Sequence, residues 1–582
     1  MLCLPGTVAH AQQGEGAFPP LVAPTPPMGW NPWNAFRTDV DEKRIFQAAQ
    51  SLLDLGLAGL GYRYVNIDDG WALKRDHTGT LQVRVSTFPS ARLAGGATSF
   101  RPFVDRLHAM GLKAGIYSDI GRNTCAQFWD AGHPNLPEGT RAEREVGTLG
   151  FQNQDAQLFF DRWGFDYVKL DACGVADYAP GSKLVTSETY RPYTPLIKRE
   201  NPHGSSRERL EALYAGFAKA ARRASPGPGP VIAICAWGEA DVADWANRHG
   251  NLWRTSPDIW KTWESMLRNF DSAAPRALFA GPGRWNDPDM LEIGNGDFGD
   301  ANLEQARAHM SLWAIISAPL ILSYDLSRSS PALLSIVANK DVIGIDQDPA
   351  GNQGVIIYHE GDLEIIVKQL ADGTKAVAVI NRGSKSLRHS LPVSELRFDP
   401  AAPVEARDLW KQASHPAVGG EIDARLGPRE TLLLRVRGAP LHADRRYLDE
   451  MPARVMVSKE GYKPADRGLT KPWIPARIGY LPSGEPIETE GGHDRNALGS
   501  AAGSEVTIDL QREFTRFKAT PGRNGTVTIL GDGRVLYRSK GARAEPIDIA
   551  IKGIQTLTLV NSPKESQKDS GVRILNGVSL TY

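Results

Sequence analysis

The residues best able to do chemistry in this chain are two aspartates and a lysine. The stretch Asp166-Tyr167-Val168-Lys169-Leu170-Asp171-Ala172-Cys173 is a run of strand formers that ends on an acid. Lys169 lies two residues before Asp171, so in a strand both side chains leave the same face. An ammonium beside a carboxylate keeps it ionised, and an ionised aspartate at a strand's C-terminal end suits a nucleophile. A salt bridge at a strand end would use the same residues. More acids end other apolar runs: Asp68-Asp69 after Val65-Asn66-Ile67, Asp258 four residues after Arg254, and Asp287 and Asp289 in Trp285-Asn286-Asp287-Pro288-Asp289-Met290. Any one alone reads as a helix cap; four clusters at four strand ends do not.

Cleavage of a glycosidic bond needs two carboxyl groups, one at the anomeric carbon and one to protonate the leaving oxygen. Asp171, beside Lys169, suits the first role. Asp258, which Arg254 can orient, suits the second. In a retaining enzyme the two carboxyls stand about 5–5.5 Å apart. The 14 tryptophans fit a saccharide cleft, because aromatic faces stack on sugars. No His/Cys metal spacing is visible, so neither metal nor cofactor is expected. Mg²⁺ on the acids is the competing reading, weakened because no phosphate-binding motif accompanies them.

These acids can converge only if their strands run parallel. From Met28 to Asp348 short apolar runs alternate with helical periods, the pattern of βα units. Strands are expected at 28–33, 62–68, 113–118, 167–170, 231–236, 252–255, 284–287 and 320–324. Helices between them carry Ile45, Ala49, Leu52 and Leu53, then Phe103, Val104, Leu107 and Met110. A third opens at Ser205 with Glu208 as a capping box and carries Leu210, Leu213, Tyr214 and Phe217. Eight such units predict an α/β protein built on a (β/α)8 TIM barrel. A doubly wound sheet is the alternative, but no glycine-rich fingerprint follows the first strand. The long polar segment 174–205 would shape a cleft at the barrel mouth or be a plain surface insertion.

Beyond Pro349 the pattern becomes antiparallel. Runs at 355–358, 363–367, 376–380 and 431–436, with a turn at Asp372-Gly373, predict a small antiparallel β-domain. Seven runs between 505 and 580 predict a C-terminal β-sandwich. The expected division is a leader at 1–23, a catalytic barrel at 24–350, the β-domain at 351–438, a linker at 439–454 and the sandwich at 455–582.

At 582 residues the chain exceeds one compact domain. Lys+Arg and Asp+Glu are both 67, which leaves no net charge to draw nucleic acid or an anionic membrane. No apolar run approaches the roughly 20 residues of a membrane helix. Ala9-His10-Ala11 resembles a signal-peptidase site, so the start reads as a clipped export signal and the protein as secreted or periplasmic. Loss of Cys3 with that leader would leave Cys125, Cys173 and Cys235, enough for one disulfide and one free thiol.

Five motifs in order carry a family resemblance: Thr25-Pro26-Pro27-Met28-Gly29-Trp30-Asn31, Asn66-Ile67-Asp68-Asp69-Gly70-Trp71, Lys113-Ala114-Gly115-Ile116-Tyr117-Ser118-Asp119, the stretch Tyr167 to Cys173, and Gly281-Pro282-Gly283-Arg284-Trp285-Asn286-Asp287-Pro288-Asp289-Met290-Leu291. Over residues 25–437 the chain resembles the α-galactosidase and α-N-acetylgalactosaminidase family, glycoside hydrolase family 27. The resemblance implies a retaining exo-glycosidase that removes terminal α-linked galactose, with Asp171 as nucleophile and Asp258 as acid/base. It implies that Trp30, Asp68, Asp69, Tyr117, Lys169, Trp237, Arg254 and Asp289 hold the sugar, and that Cys125 pairs with Cys173. Two departures stand out. Gly70 replaces a frequent cysteine, and Ala236 replaces an acidic or polar residue that would face the sugar's 2-position, where Glu239 could substitute. Ala236 leaves room for an N-acetyl group, so α-N-acetylgalactosaminidase is the nearest alternative, with β-L-arabinopyranosidase and isomaltodextranase more remote. A carbohydrate-binding protein on a decayed barrel is the non-enzyme alternative, against which the intact Asp171 and Asp258 argue. From about Arg454 the chain resembles the NPCBM type of module through His493-Asp494-Arg495, Val506 to Leu510 and Phe514 to Phe517. That module would bind sugar or pack on the barrel.

Overall fold

The computed structural model describes residues 21–130, 132–177, 191, 193–199, 201, 204–225, 227–464, 473–522, 526–539, 545–562 and 572–582. The leader, Cys3 and most of segment 174–205 lie outside the described residues.

Eight strands form one parallel sheet: β1 (Met28–Trp30), β2 (Tyr64–Asn66), β3 (Lys113–Asp119), β4 (Tyr167–Asp171), β5 (Val231–Ile234), β6 (Leu252–Arg254), β7 (Trp285–Asp287) and β8 (Leu320–Leu322). Their order is β8-β1-β2-β3-β4-β5-β6-β7, each parallel to its neighbour. Pro288 has no N–H to donate, and it ends β7. Closure of the barrel then falls to a parallel bridge between Leu291 and Leu322, with Leu291 N–H donating to the Ile321 carbonyl at 2.8 Å.

Two strands, β1 and β2, stop short of the expected ends for one reason. Asn31, Asp68 and Asp69 accept backbone N–H groups from Trp33, Asp69 and Gly70 at 2.8, 2.9 and 2.8 Å. Such local side-chain bonds replace the ladder and turn the chain. The polar side chains therefore stand on the loops just beyond the C-terminal ends.

The helices follow the apolar periods. Glu42–Asp54 is capped by Asp41, which accepts from Arg44 N–H, and it buries Ile45, Ala49 and Leu52. Arg101–Ala109 buries Phe103, Val104 and Leu107, and Arg207–Ala224 buries Leu210, Tyr214 and Phe217. The capping box expected at Ser205 does not form. Ser205 Oγ accepts from Lys198 N–H at 2.9 Å, and the helix begins after Ser206, whose side chain makes no cap bond.

The β-domain is a six-stranded antiparallel sheet with the separate pair Leu387–Pro392 and Glu421–Leu426. The sheet packs its own core of Ile365, Val377, Val379 and Leu434. The last part is a sandwich of two antiparallel sheets, one centred on Val572–Thr581 and one on Thr556–Ser562. Within the stretch read as a linker, Arg445–Tyr447 pairs with Val572–Thr581 and ties that stretch to the sandwich. Among the described residues no helix is long and apolar enough to cross a membrane.

Candidate active site

Asp171 is the last residue of β4 and sits opposite Asp119 of β3 in register. It is 5% exposed and accepts from its neighbour Ala172 N–H at 3.1 Å. Burial pushes its carboxyl up to about 7; Lys169 pulls it down, and the charges of Asp258 and Asp68 push it further up. The expectation that Lys169 keeps Asp171 ionised is therefore only half right. Lys169 Nζ bonds Asp68 Oδ2 at 3.2 Å, so its charge is shared between strands and loses to burial at Asp171. Lys169 itself stays an ammonium, because Asp68 and Asp171 outweigh the burial that disfavours its charge. It also sits 5.4 Å from the Tyr117 ring centroid.

Asp68 is fixed from a second side by Asn31 Nδ2 at 2.7 Å. Asp69 accepts from Ala126 N–H at 2.7 Å, and burial holds its carboxyl up at about 6. Tyr117, buried at the end of β3, accepts from Cys125 N–H at 3.3 Å. Cys125 and Cys173 form the disulfide implied by the resemblance, and Cys235 is a free, buried thiol.

Across the mouth, Arg254 ends β6 and is 3% exposed. Its Nη2 reaches Asp289 Oδ2 at 2.9 Å, Asp258 Oδ1 at 3.0 Å and the Ser256 carbonyl at 3.2 Å. Asp289 takes a left-handed φ of 88° and accepts from Ile259 N–H at 2.9 Å, which locks the loop that bears Asp258. Burial raises Asp289 to about 6. At Asp258, burial pushes the carboxyl up, but Arg254 and then Lys169 outweigh it and hold it below the usual range. The Asp258 side chain is 60% exposed, so water tempers both pulls. Each of Asp171 and Lys169 senses the charge of Asp258, which places acids from β4 and the loop after β6 in one electrostatic neighbourhood.

Trp30 is fully buried, with its indole N–H on the Tyr324 carbonyl at 2.9 Å. Trp237 is half-buried and left-handed at φ 54°. Gly238 follows at φ 82°, where a Cβ would meet the Thr255 carbonyl oxygen at 2.4 Å. Ala236 corrects an expectation. It has no exposed surface and packs in the hydrophobic core, because the strand turns its alternate residue, Cys235, toward the barrel axis. Cys235 lines a small cavity in the barrel floor with Asn31, Asn66, Lys169, Arg254 and Asp289. Glu239 opens the short turn Glu239–Asp241 beyond it. A far larger cleft, ≈ 690 Å³, lies at the other end of the barrel among Gly250, Pro282, Arg284, Met451 and Thr507, and holds none of these acids.

Asn31 and Asp119 are site residues that the sequence argument passed over. Both stand in quoted motifs at strand ends, which was the available signal. Asp119 accepts from Gly121 and Gly174 N–H at 2.6 and 3.1 Å, and burial with the nearby Asp171 charge pushes it well up. Its carboxyl oxygen lies within 4.8 Å of the sulfurs of Cys125 and Cys173, but those sulfurs are tied to each other in the disulfide.

A parallel barrel whose C-terminal mouth gathers carboxylates around one lysine and one arginine, followed by an antiparallel β-domain, defines a barrel glycoside hydrolase. Family comparisons agree in three places. Residues 25–188 and 206–348 match the family model described as "Alpha galactosidase A", 360–436 match an "Alpha galactosidase C-terminal beta sandwich domain", and 445–573 match an "NPCBM/NEW2 domain". "Alpha-galactosidase 2" of Arabidopsis thaliana is 36% identical over 408 residues, 70% of this chain and 88% of that protein. "Alpha-galactosidase" of Coffea arabica is 37% identical over 408 residues, 70% of this chain and 92% of that protein. The crystal structure of α-galactosidase I from Mortierella vinacea is 28% identical with a TM-score of 0.58, covering 72% of this chain and 98% of its own. The chain belongs to this α-galactosidase family, glycoside hydrolase family 27.

Proposed function

We infer that the protein is a retaining exo-α-galactosidase, in which Asp171 attacks the anomeric carbon and Asp258 protonates the leaving oxygen, then activates water. The supporting observation is that Asp258, held on the loop after β6 by Arg254 at 3.0 Å, lies close enough for its charge to raise the Asp171 carboxyl at the end of β4. Turnover requires one proton on the pair. In the empty site Asp171 holds it more tightly, because it is buried while Asp258 faces solvent and Arg254. A bound sugar reverses that order. It displaces water from Asp258, which favours its neutral form, and the positive charge that develops at the anomeric carbon favours ionised Asp171. Asp68, Asp69, Lys169, Arg254 and Asp289 present acceptors and donors for the sugar hydroxyls, with half-buried Trp237 as an aromatic wall and the buried Trp30 and Tyr117 packed beneath the site. The Cys125–Cys173 disulfide supports export to an oxidising compartment.

A side-by-side assay tests this reading. Nitrophenyl α-galactoside should turn over faster than nitrophenyl α-N-acetylgalactosaminide, and Asp171→Asn should lose at least about 10³-fold of that activity. Preference for the acetamido sugar would move the assignment to the sister activity; full activity in Asp171→Asn would remove the nucleophile assignment.

A further inference from the structure

The 14 tryptophans, all among the described residues, differ sharply in exposure. All but two are buried or half-buried; Trp129 and Trp260 are 65% and 61% exposed. Both stand on loops at the C-terminal mouth, after β3 and β6. Trp129 ends the helix Cys125–Trp129, and the Arg199 guanidinium lies 5.7 Å from its ring centroid. Trp260 lies two residues beyond Asp258.

Exposure alternates along that stretch: Asp258 is exposed, Ile259 is 5% exposed, and Trp260 is exposed again. The Asp258 carboxylate and the Trp260 indole therefore face the same solvent, while Ile259 anchors the chain inward through its N–H on Asp289. The segment is pinned further along its length. Arg268 donates to the Asp258 carbonyl at 2.8 Å, Trp260 N–H to Ser265 Oγ at 2.8 Å, and Thr262 N–H to the Trp260 carbonyl at 2.7 Å. A large apolar ring on a fixed backbone, left in water beside the acid, is a preformed platform for a ligand.

We propose that Trp260 forms the subsite for the leaving sugar. The inference rests on Asp258 as the acid/base. The oxygen that receives the Asp258 proton belongs to the departing group, so that group must lie against Asp258 on the solvent side of the galactose ring. Trp260 occupies that side, and its face packs on the C–H face of a departing pyranose. The enzyme then favours galactose linked to another hexose over galactose on a small leaving group.

Trp260→Ala and Trp260→Phe test this with two substrates, an α-galactosyl-glucose disaccharide and α-galactosyl fluoride, whose leaving group has no ring. The ratio of kcat/KM for disaccharide over fluoride should fall about 3- to 10-fold in Trp260→Ala, the scale of one aromatic contact, and recover most of that in Trp260→Phe. An unchanged ratio in Trp260→Ala overturns the proposal. Asp258→Ala, run on the same pair, tests the underlying reading separately. It should lose far more on the disaccharide than on the fluoride, which needs little protonation; equal losses there would remove the acid assignment, whatever the Trp260 ratio shows.

Discussion

Burial and charge oppose each other at Asp171, and burial wins by a margin that Lys169 limits. Its carboxyl is pushed to about 7, and Asp258 is held low by Arg254, so the pair keeps one proton between a low value and about pH 7. The productive form is the one with a single proton. The kcat/KM profile for an α-galactoside should therefore show its alkaline limb near pH 7. Lys169 lowers the Asp171 value, so Lys169→Met should move that limb to higher pH while it reduces kcat/KM. A limb that stays or moves down would contradict the assignment. The arrangement also costs stability. A carboxyl raised in the folded state contributes stability that is complete below its unfolded value, 3.8, and is lost as pH rises through the folded value, about 6 for Asp69 and Asp289 and about 7 for Asp171.

The elements that carry these residues were largely legible, because the barrel strands are short apolar runs and five of the eight end on or next to an acid or amide: Asn31, Asn66, Asp119, Asp171 and Asp287. What escaped was where strands stop, since Asn31, Asp68 and Asp69 turn the chain through their own side chains. Strands with charged outer faces were missed as well. Glu405–Asp408 and Glu421–Leu426 alternate buried and exposed residues, and no strand was expected between 380 and 431. The partner of Lys169 was illegible for a different reason: Asp68 lies 101 residues away, on another strand end. The disulfide came from the resemblance rather than from spacing. It joins the helix after β3 to the turn after β4, where Gly121 and Gly174 pack so closely that a Cβ on Gly121 would meet the Gly174 carbonyl carbon at 2.2 Å. Its 48-residue separation sets a chain-entropy contribution of about 4 kcal/mol. Replacing both cysteines by alanine should lower the urea midpoint accordingly and, through the Cys125 N–H on Tyr117, weaken galactoside binding; an unshifted midpoint would show that the packed glycines alone hold this corner.

At the scale of the whole molecule, the β-sandwich is joined to the barrel by charges as well as apolar contacts. Lys463 reaches Asp244 at 2.7 Å, Asp244 also holds Arg276 at 2.5 Å, and Glu460 bonds both Arg207 and Arg248. Arg284, the residue directly before β7, donates to the Ala453 carbonyl at 3.0 Å. These contacts involve the segment after β5, the start of the helix after β4 and the barrel's far end. The barrel's work in this account is to bring an acid on β4 and an acid after β6, 87 positions later in the numbering (258 minus 171), to one sugar ring. The most direct measurement uses a slow fluorinated galactosyl donor that accumulates the covalent intermediate, followed by mass analysis of the digested protein. The account predicts one added glycosyl group, on the peptide that carries Asp171. A glycosyl group on any other residue, or turnover with no covalent intermediate and inverted configuration, would contradict it.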